Sequence, residues 1–223
     1  MADTIVFLDS NVLASPVTRT LVIAGGRVDG LLLTWSAHVE AEADRHARGA
    51  ASRTSTVRLT ILGMELSKSA RSTSGLVTAS VEDRQVIADA IAAKAQYLVT
   101  TDVDDFALED LEAHAMSAVN PDYFMALRYS EHAYREAVGT LAEVAKNPPR
   151  TEAEVHAMLG RRHPLVTSRF ADAYETKAIS ADADQPSVIF SGVSSVRCGD
   201  RLGSKGSSRL GLCAEHSALP SAG

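Results

Sequence analysis

The sequence predicts an α/β fold built around a buried parallel sheet, and three observations predict it. Ile5-Val6-Phe7-Leu8 and Tyr97-Leu98-Val99 are short, continuous apolar runs, the pattern of strands covered on both faces. Leu31-Leu32-Leu33-Thr34-Trp35 is a third such run. Stretches with apolar residues at helical spacing separate these runs, so strands and helices alternate. The 223 residues, 45% of them hydrophobic and with a net charge of −6, suffice for one globular domain with an appendage.

In chain order, Ile5–Leu8 is the first strand, and Asp9-Ser10-Asn11 leaves it. Val17–Ala24 is a short helix, with Gly25-Gly26 as its expected end. The run at 31–35 is the next strand, and Ser36 is an N-cap for a helix from Ala37 to about Ala51. Ser72–Gly75 is a loop. Asp83 opens a helix whose buried stripe is Val86, Ile87, Ala90 and Ile91. That helix feeds the strand at 97–99, and Asp102, Asp104 and Asp105 follow at once. Leu108 and Leu111 mark a helical turn, and Ala115–Val119 is expected as a last edge strand. Asn120-Pro121 starts a helix, with proline at the first helical position. Glu131–Lys146 is amphipathic and stops at Pro148-Pro149. Thr151-Glu-Ala-Glu154 is a capping box for a helix through Leu159, and His163–Tyr174 adds further turns. The expected division is a catalytic-type α/β domain over 1–128, a helical extension over 129–177, and a Ser/Gly-rich tail over 178–223 whose composition predicts disorder.

Only two cysteines occur, Cys198 and Cys213, both in the tail, so the core holds no disulfide and no thiolate site. The first residues carry neither a basic region nor a long apolar run, and no stretch approaches the ~20 apolar residues of a membrane span. The expected location is the cytosol, with no membrane partner. A mildly acidic chain needs a local reason to bind nucleic acid. One candidate is the segment from Arg45 to Arg71, which holds Arg45, Arg48, Arg53, Arg58, Lys68 and Arg71 against the single acid Glu65. It could hold phosphates, or it could be an ordinary solvated face.

The acids carry the chemistry. Asp9 stands at a strand exit, where it either caps the next turn or faces a site. Asp102 and Asp105 stand at a second strand exit, where ligands of open α/β sheets bind. Glu40 and Glu42 diverge by about 200° around their helix, so only one can face that site easily. Glu42 shares a face with His38 and His46. The zinc-binding His-Glu-x-x-His arrangement is missing, and exposed histidines beside a helical acid are the expected outcome. Carboxylates gathered without cysteine suit hard cations such as Mg²⁺ or Mn²⁺. There is no glycine-rich phosphate loop, and no Gly-x-Ser-x-Gly nucleophile motif.

Four pieces of the chain, in order and spacing, resemble a known family: LDSNVL at 8–13, WSAHVEAE at 35–42, EDRQVIADAIAAKAQYLVTTDVDDF at 82–106 and NPDYF at 120–124. They are similar to the PIN-domain ribonucleases, closest to the VapC-type toxins of bacterial toxin–antitoxin pairs. The resemblance implies a three-layer α/β/α fold and Mg²⁺- or Mn²⁺-dependent endonucleolysis of RNA. It places Asp9, Glu42 and Asp83 as the first three acids, and Asp102 or Asp105 as the fourth, in both the catalytic and the metal-binding roles. Asp104 is expected to point to solvent. Ser10 and Asn11, with Arg45 and Arg48, are the candidates for substrate contact. A small antitoxin partner and a homodimer are further implications of the resemblance. The long Ser/Gly tail departs from the family pattern. Two rivals stand beside this reading. One is a non-catalytic module of the same fold that binds RNA or protein. The other is a hydrolase with Asp9 as covalent nucleophile, for which Lys94, ahead of its strand, is poorly placed.

Overall fold

Strand β1, Ile5–Leu8, forms because its residues are apolar throughout and have a neighbour on either side to bury them. Val6, Phe7 and Leu8 are fully buried. A computed structural model of the chain describes residues 4–47, 53–59, 63–174 and 188–189. β1 pairs in parallel with β2, Leu32–Thr34, on one side and with β3, Tyr97–Val99, on the other. β3 pairs in parallel with β4, Ser117–Val119. The four parallel strands run in the order β2-β1-β3-β4. A fifth strand, β5 at Val188–Ile189, pairs antiparallel with β4. β4 was expected as the sheet's edge and is instead flanked on both sides. The pairing also gives Val188–Ile189 a place in the sheet, against the disorder expected of residues 178–223; the rest of that tail, with both cysteines, lies outside the described residues.

The helices are α1, Ser10–Ala14; α2, Pro16–Val28; α3, Ala37–Arg45; α4, Thr54–Val57; and α5, Val81–Ala92. They continue as α6, Leu108–Ala113; α7, Pro121–Arg128; α8, Glu131–Val144; α9, Glu152–Leu159; and α10, Pro164–Arg169. Caps set most of their starts. The Ser36 hydroxyl accepts from Val39 N, that of Ser80 from Asp83 N, and the Asn120 side chain from Asp122 N. α5 therefore begins at Val81, two residues ahead of Asp83. α3 ends at Arg45 rather than near Ala51. The Thr151–Glu154 capping box forms as expected.

α2 runs straight through Gly25-Gly26, which were expected to end it. These glycines answer to packing. A Cβ on Gly25 would stand 2.4 Å from Tyr129 Cε2, and one on Gly26 would stand 3.1 Å from Leu33 Cδ1. Tyr129 is buried against α2, and its hydroxyl donates to Val22 O at 2.8 Å. Behind that contact, α8 packs along α2. The helical segment beyond residue 129 therefore shares the sheet's hydrophobic core through Ala133, Tyr134, Val138, Val166 and Phe170.

The strand order reverses direction at β1. The chain moves one way from β1 to β2, and the other way from β2 to β3 and on to β4. Right-handed crossovers then place α2 on one face of the sheet and α5 and α6 on the other. This is an α/β fold with a central parallel sheet, compatible with three layers. A sheet that reverses in this way has its ligand crevice at the carboxyl ends of the two strands astride the reversal, here β1 and β3. Among the described residues, no helix is long and apolar enough to cross a membrane.

Candidate active site

The register brings the two strand exits side by side. Leu8 pairs with Val99, and Asp9 N donates to Val99 O at 3.0 Å. A pocket of about 290 Å³ opens there. Its lining includes Asp9 from the β1 exit, Glu42 from α3, Asp83 from the first turn of α5, and Asp102 and Asp105 from the β3 exit. All five acids singled out from the sequence therefore face one space. Ser10, Asn11 and His46 also line it. Asp104 is exposed and lies outside the lining. Arg45 is exposed in the last turn of α3 and does not line the pocket. Arg48 lies outside the described residues.

Asp9 is the most constrained of the five. It is the N-cap of α1, accepting from Ser10 N at 2.6 Å. Its second oxygen accepts from the Thr100 hydroxyl at 2.8 Å and from Asn11 Nδ2 at 2.9 Å. Asn11 works as a clip between the strand exits. Its amide nitrogen also reaches Thr100 Oγ1 at 2.9 Å and Asp102 Oδ2 at 3.0 Å, and its oxygen accepts from Thr101 N at 3.1 Å. Asn11 was expected at the site as a substrate contact. Thr100 was not singled out, although Thr-Thr at the exit of a strand beside Asp9 was a visible signal.

Burial pushes the Asp9 carboxyl up from its ordinary 3.8 to about 6. Hydrogen bonds from Thr100 and Ser10 oppose the rise, and the charges of Glu42 and Asp83 add to it. Asp83 is raised as well, by partial burial first and then by Asp105, Glu42 and Glu82, against its bond with Ser80. The pocket therefore concentrates negative charge that its own residues do not neutralise. A measurable consequence follows for stability. A carboxyl whose folded pKa exceeds its unfolded one binds a proton on folding between the two values. Stability is then highest below about 4, falls as pH rises to about 6, and stays lower above that. A shift of this size is worth about 3 kcal/mol. Urea unfolding in EDTA, with Asp9→Asn as reference, should show wild type losing stability relative to the mutant across that window. A constant difference between the two would refute the raised carboxyl.

Other charged groups turn out to be structural. Glu40 faces away from the pocket: both of its oxygens accept from Arg58, at 2.6 and 3.0 Å, and Trp35 Nε1 donates to it at 3.0 Å. Arg58 also donates to Met64 O at 3.1 Å, so this member of the basic segment is neutralised and half-buried. Asp44 accepts from Thr54 N and from the Ser55 hydroxyl and anchors α4. Asp110 accepts from Val77 N, Thr78 N and the Thr78 hydroxyl. His46 is exposed as expected. His38 is half-buried, correcting the expectation for it, and its Nε2 has no hydrogen-bond partner among the described residues.

Among the described residues, no group of three or more His, Cys, Asp or Glu side chains is placed to hold a metal ion together. Mg²⁺ does not need one: it keeps several waters and takes one or two carboxylates together with substrate phosphates. An all-oxygen donor set in which the charges of Glu42 and Asp83 add to the rise of the Asp9 carboxyl fits that mode. No protein-family model, curated protein or solved structure matches this chain.

Proposed function

We propose that this chain is a divalent-cation-dependent endoribonuclease with a PIN-like fold, acting as the toxin of a toxin–antitoxin pair. One observation carries the enzymatic reading: five carboxylates from four separate stretches of chain line one pocket at the crevice where the sheet order reverses. The toxin role, a small antitoxin partner and a homodimer rest on the family resemblance, and a cytoplasmic location on the sequence pattern alone.

In this reading Asp9, Glu42 and Asp83 would hold Mg²⁺ or Mn²⁺, with Asp102 or Asp105 completing the set. When bound, such a cation supplies activation of a water and charge stabilisation for in-line displacement at phosphorus. The protein's part is orientation. Thr100 and Asn11 fix one Asp9 oxygen, Ser10 N fixes the other, and the Asn11 amide holds Asp102 at a set distance from Asp9. Positioned groups of this kind avoid reorganisation at the moment of reaction. Ser10, which lines the pocket, would in this reading meet a phosphate oxygen.

The test is cleavage of a mixed pool of cellular RNA by purified protein in Mg²⁺ or Mn²⁺, beside an EDTA control. Cuts that need the metal are expected. Saturating Mg²⁺ should also raise the melting temperature, since a ligand at a hundred times its Kd adds about 2.7 kcal/mol. Intact RNA together with a raised melting temperature would favour the non-catalytic binding module.

A further inference from the structure

A strand of RNA is a polyanion, and the pocket's own carboxylates repel it. The charge around the pocket is uneven. The β3 exit and the start of α6 expose Asp102, Asp104, Asp105 and Glu109. The α1 side carries no such run, and the fold brings a distant pair of arginines to it.

That pair is Arg161-Arg162, in the corner between α9 and α10. Arg162 Nη1 donates to Ser15 Oγ at 3.1 Å across 147 residues of sequence. Ser15 directly follows Ala14, which lines the pocket, and successive Cα atoms stand only about 3.8 Å apart. The next residue, His163, is buried, and its Nε2 bonds Thr18 Oγ1 at 3.2 Å. Thr18 in turn bonds Ser15 Oγ at 3.0 Å. Two consecutive residues thus fasten the corner to the start of α2, beside the pocket wall. Arg161 and Arg162 are exposed, and neither pairs with a carboxylate among the described residues. A guanidinium has five N–H donors, and one bond to Ser15 leaves most of Arg162's fork for a ligand. On the same side, exposed Arg53 precedes Thr54, whose hydroxyl reaches Leu13 O in α1 at 3.4 Å.

We propose that the Arg161–Arg162 corner, with Arg53, is a phosphate-binding rim that holds the RNA strand beside the scissile bond on the α1 side of the pocket. Guanidinium forks pair bidentately with phosphate, which gives direction as well as attraction. The strand then approaches over α1 and avoids the acidic β3 exit. This rests on the nuclease reading, and it adds residues 161–162, far from the basic segment at 45–71.

The experiment uses the full chain carrying Arg161→Glu with Arg162→Glu, and Arg161→Glu alone. The single variant touches a side chain with no bond among the described residues, so it leaves the fold intact even if the double variant does not. Binding of a labelled single-stranded RNA is followed by fluorescence anisotropy across a salt series, in the Asp9→Asn background so that no cleavage interferes. Each phosphate contact contributes about 0.7 to the slope of log affinity against log salt for single strands. The double variant should lose about 1.4 of that slope, and the single variant about half as much. With Asp9 intact, cleavage should show a rise in KM of at least tenfold with kcat little changed, and Arg→Lys at both positions should restore much of the loss. An unchanged slope and KM in a folded variant of an active protein would overturn the rim. If wild type cuts no RNA, the nuclease reading fails by itself, while the salt slope still decides whether these arginines bind phosphates.

Discussion

On the proposed nuclease reading, Asp9→Asn is expected to leave a folded protein and to slow RNA cleavage at least about a hundredfold relative to wild type. The magnitude has a floor: even outer-shell partners of a metal site cost about 10- to 100-fold when lost. Asp9 is the acid with the strongest claim to the inner set, being buried at the strand exit with its pKa raised to about 6. Asparagine is as good an N-cap as aspartate, so its oxygen can keep the bond from Ser10 N and α1 stays capped. Its amide nitrogen takes the place of the oxygen that accepts from Thr100 and Asn11, so the bond from Asn11 is lost and a cost in stability accompanies the loss of charge. Three measurements separate the two: the cleavage rate in Mg²⁺, the circular dichroism spectrum, and the Mg²⁺-induced rise in melting temperature, which should shrink in the mutant. Asp104→Asn, at an exposed position outside the pocket lining, is the control and should cut at the wild-type rate. Wild-type cleavage by a folded Asp9→Asn protein would remove the basis for the mechanism.

The second large effect is on stability. Glu40→Ala should cost about 3 kcal/mol, the low end of the range for breaking a buried ion pair, because Arg58 is half-buried and keeps its bond to Met64 O. The change strands the Arg58 guanidinium, whose side chain is only 13% exposed, and leaves Trp35 Nε1 without its acceptor. Replacing both charges, with Glu40→Met and Arg58→Met, should recover part of the loss, because apolar groups of similar volume replace such pairs at little cost. The indole N–H stays unpaired in the double mutant, so a residual penalty of about 1–3 kcal/mol is expected. Urea unfolding of wild type, Glu40→Met, Arg58→Met and the double mutant measures the coupling directly. Equal destabilisation of the single and double mutants would show that Trp35, not the ion pair, sets the value.

The sheet was legible because its strands are continuous apolar runs, and continuous burial on two faces leaves few other homes for IVFL or YLV. Helical rotation showed that only one of Glu40 and Glu42 faces the site easily, and the family resemblance picked Glu42; the structure places Glu42 in the pocket and Glu40 on Arg58. What stayed hidden depends on partners far along the chain. Gly25-Gly26 carry the local signature of a helix end, and only the distant Tyr129 and Leu33 reveal why α2 needs small residues there. Asp44 and Asp110 are acids like any others in sequence, yet their carboxylates tie down α4 and the segment at 77–78. α1 is too short to show a period and is set by its Asp9 cap. Thr100 gained meaning only once the register put it against Asp9.

Asp9 and Thr100 each extend a strand pairing by one more backbone bond, Asp9 N to Val99 O and Thr100 N to Val119 O. The acid and its clamp are thus mounted on backbone that is hydrogen-bonded into the central strands, the class of segment that opens least readily. The gap between the β1 and β3 exits is consequently set by the strand pairing more than by the surrounding loops. On the proposed reading, a cation or a phosphate that entered would meet a gap set by the sheet, and selection among ligands would fall first to their radius and hydration.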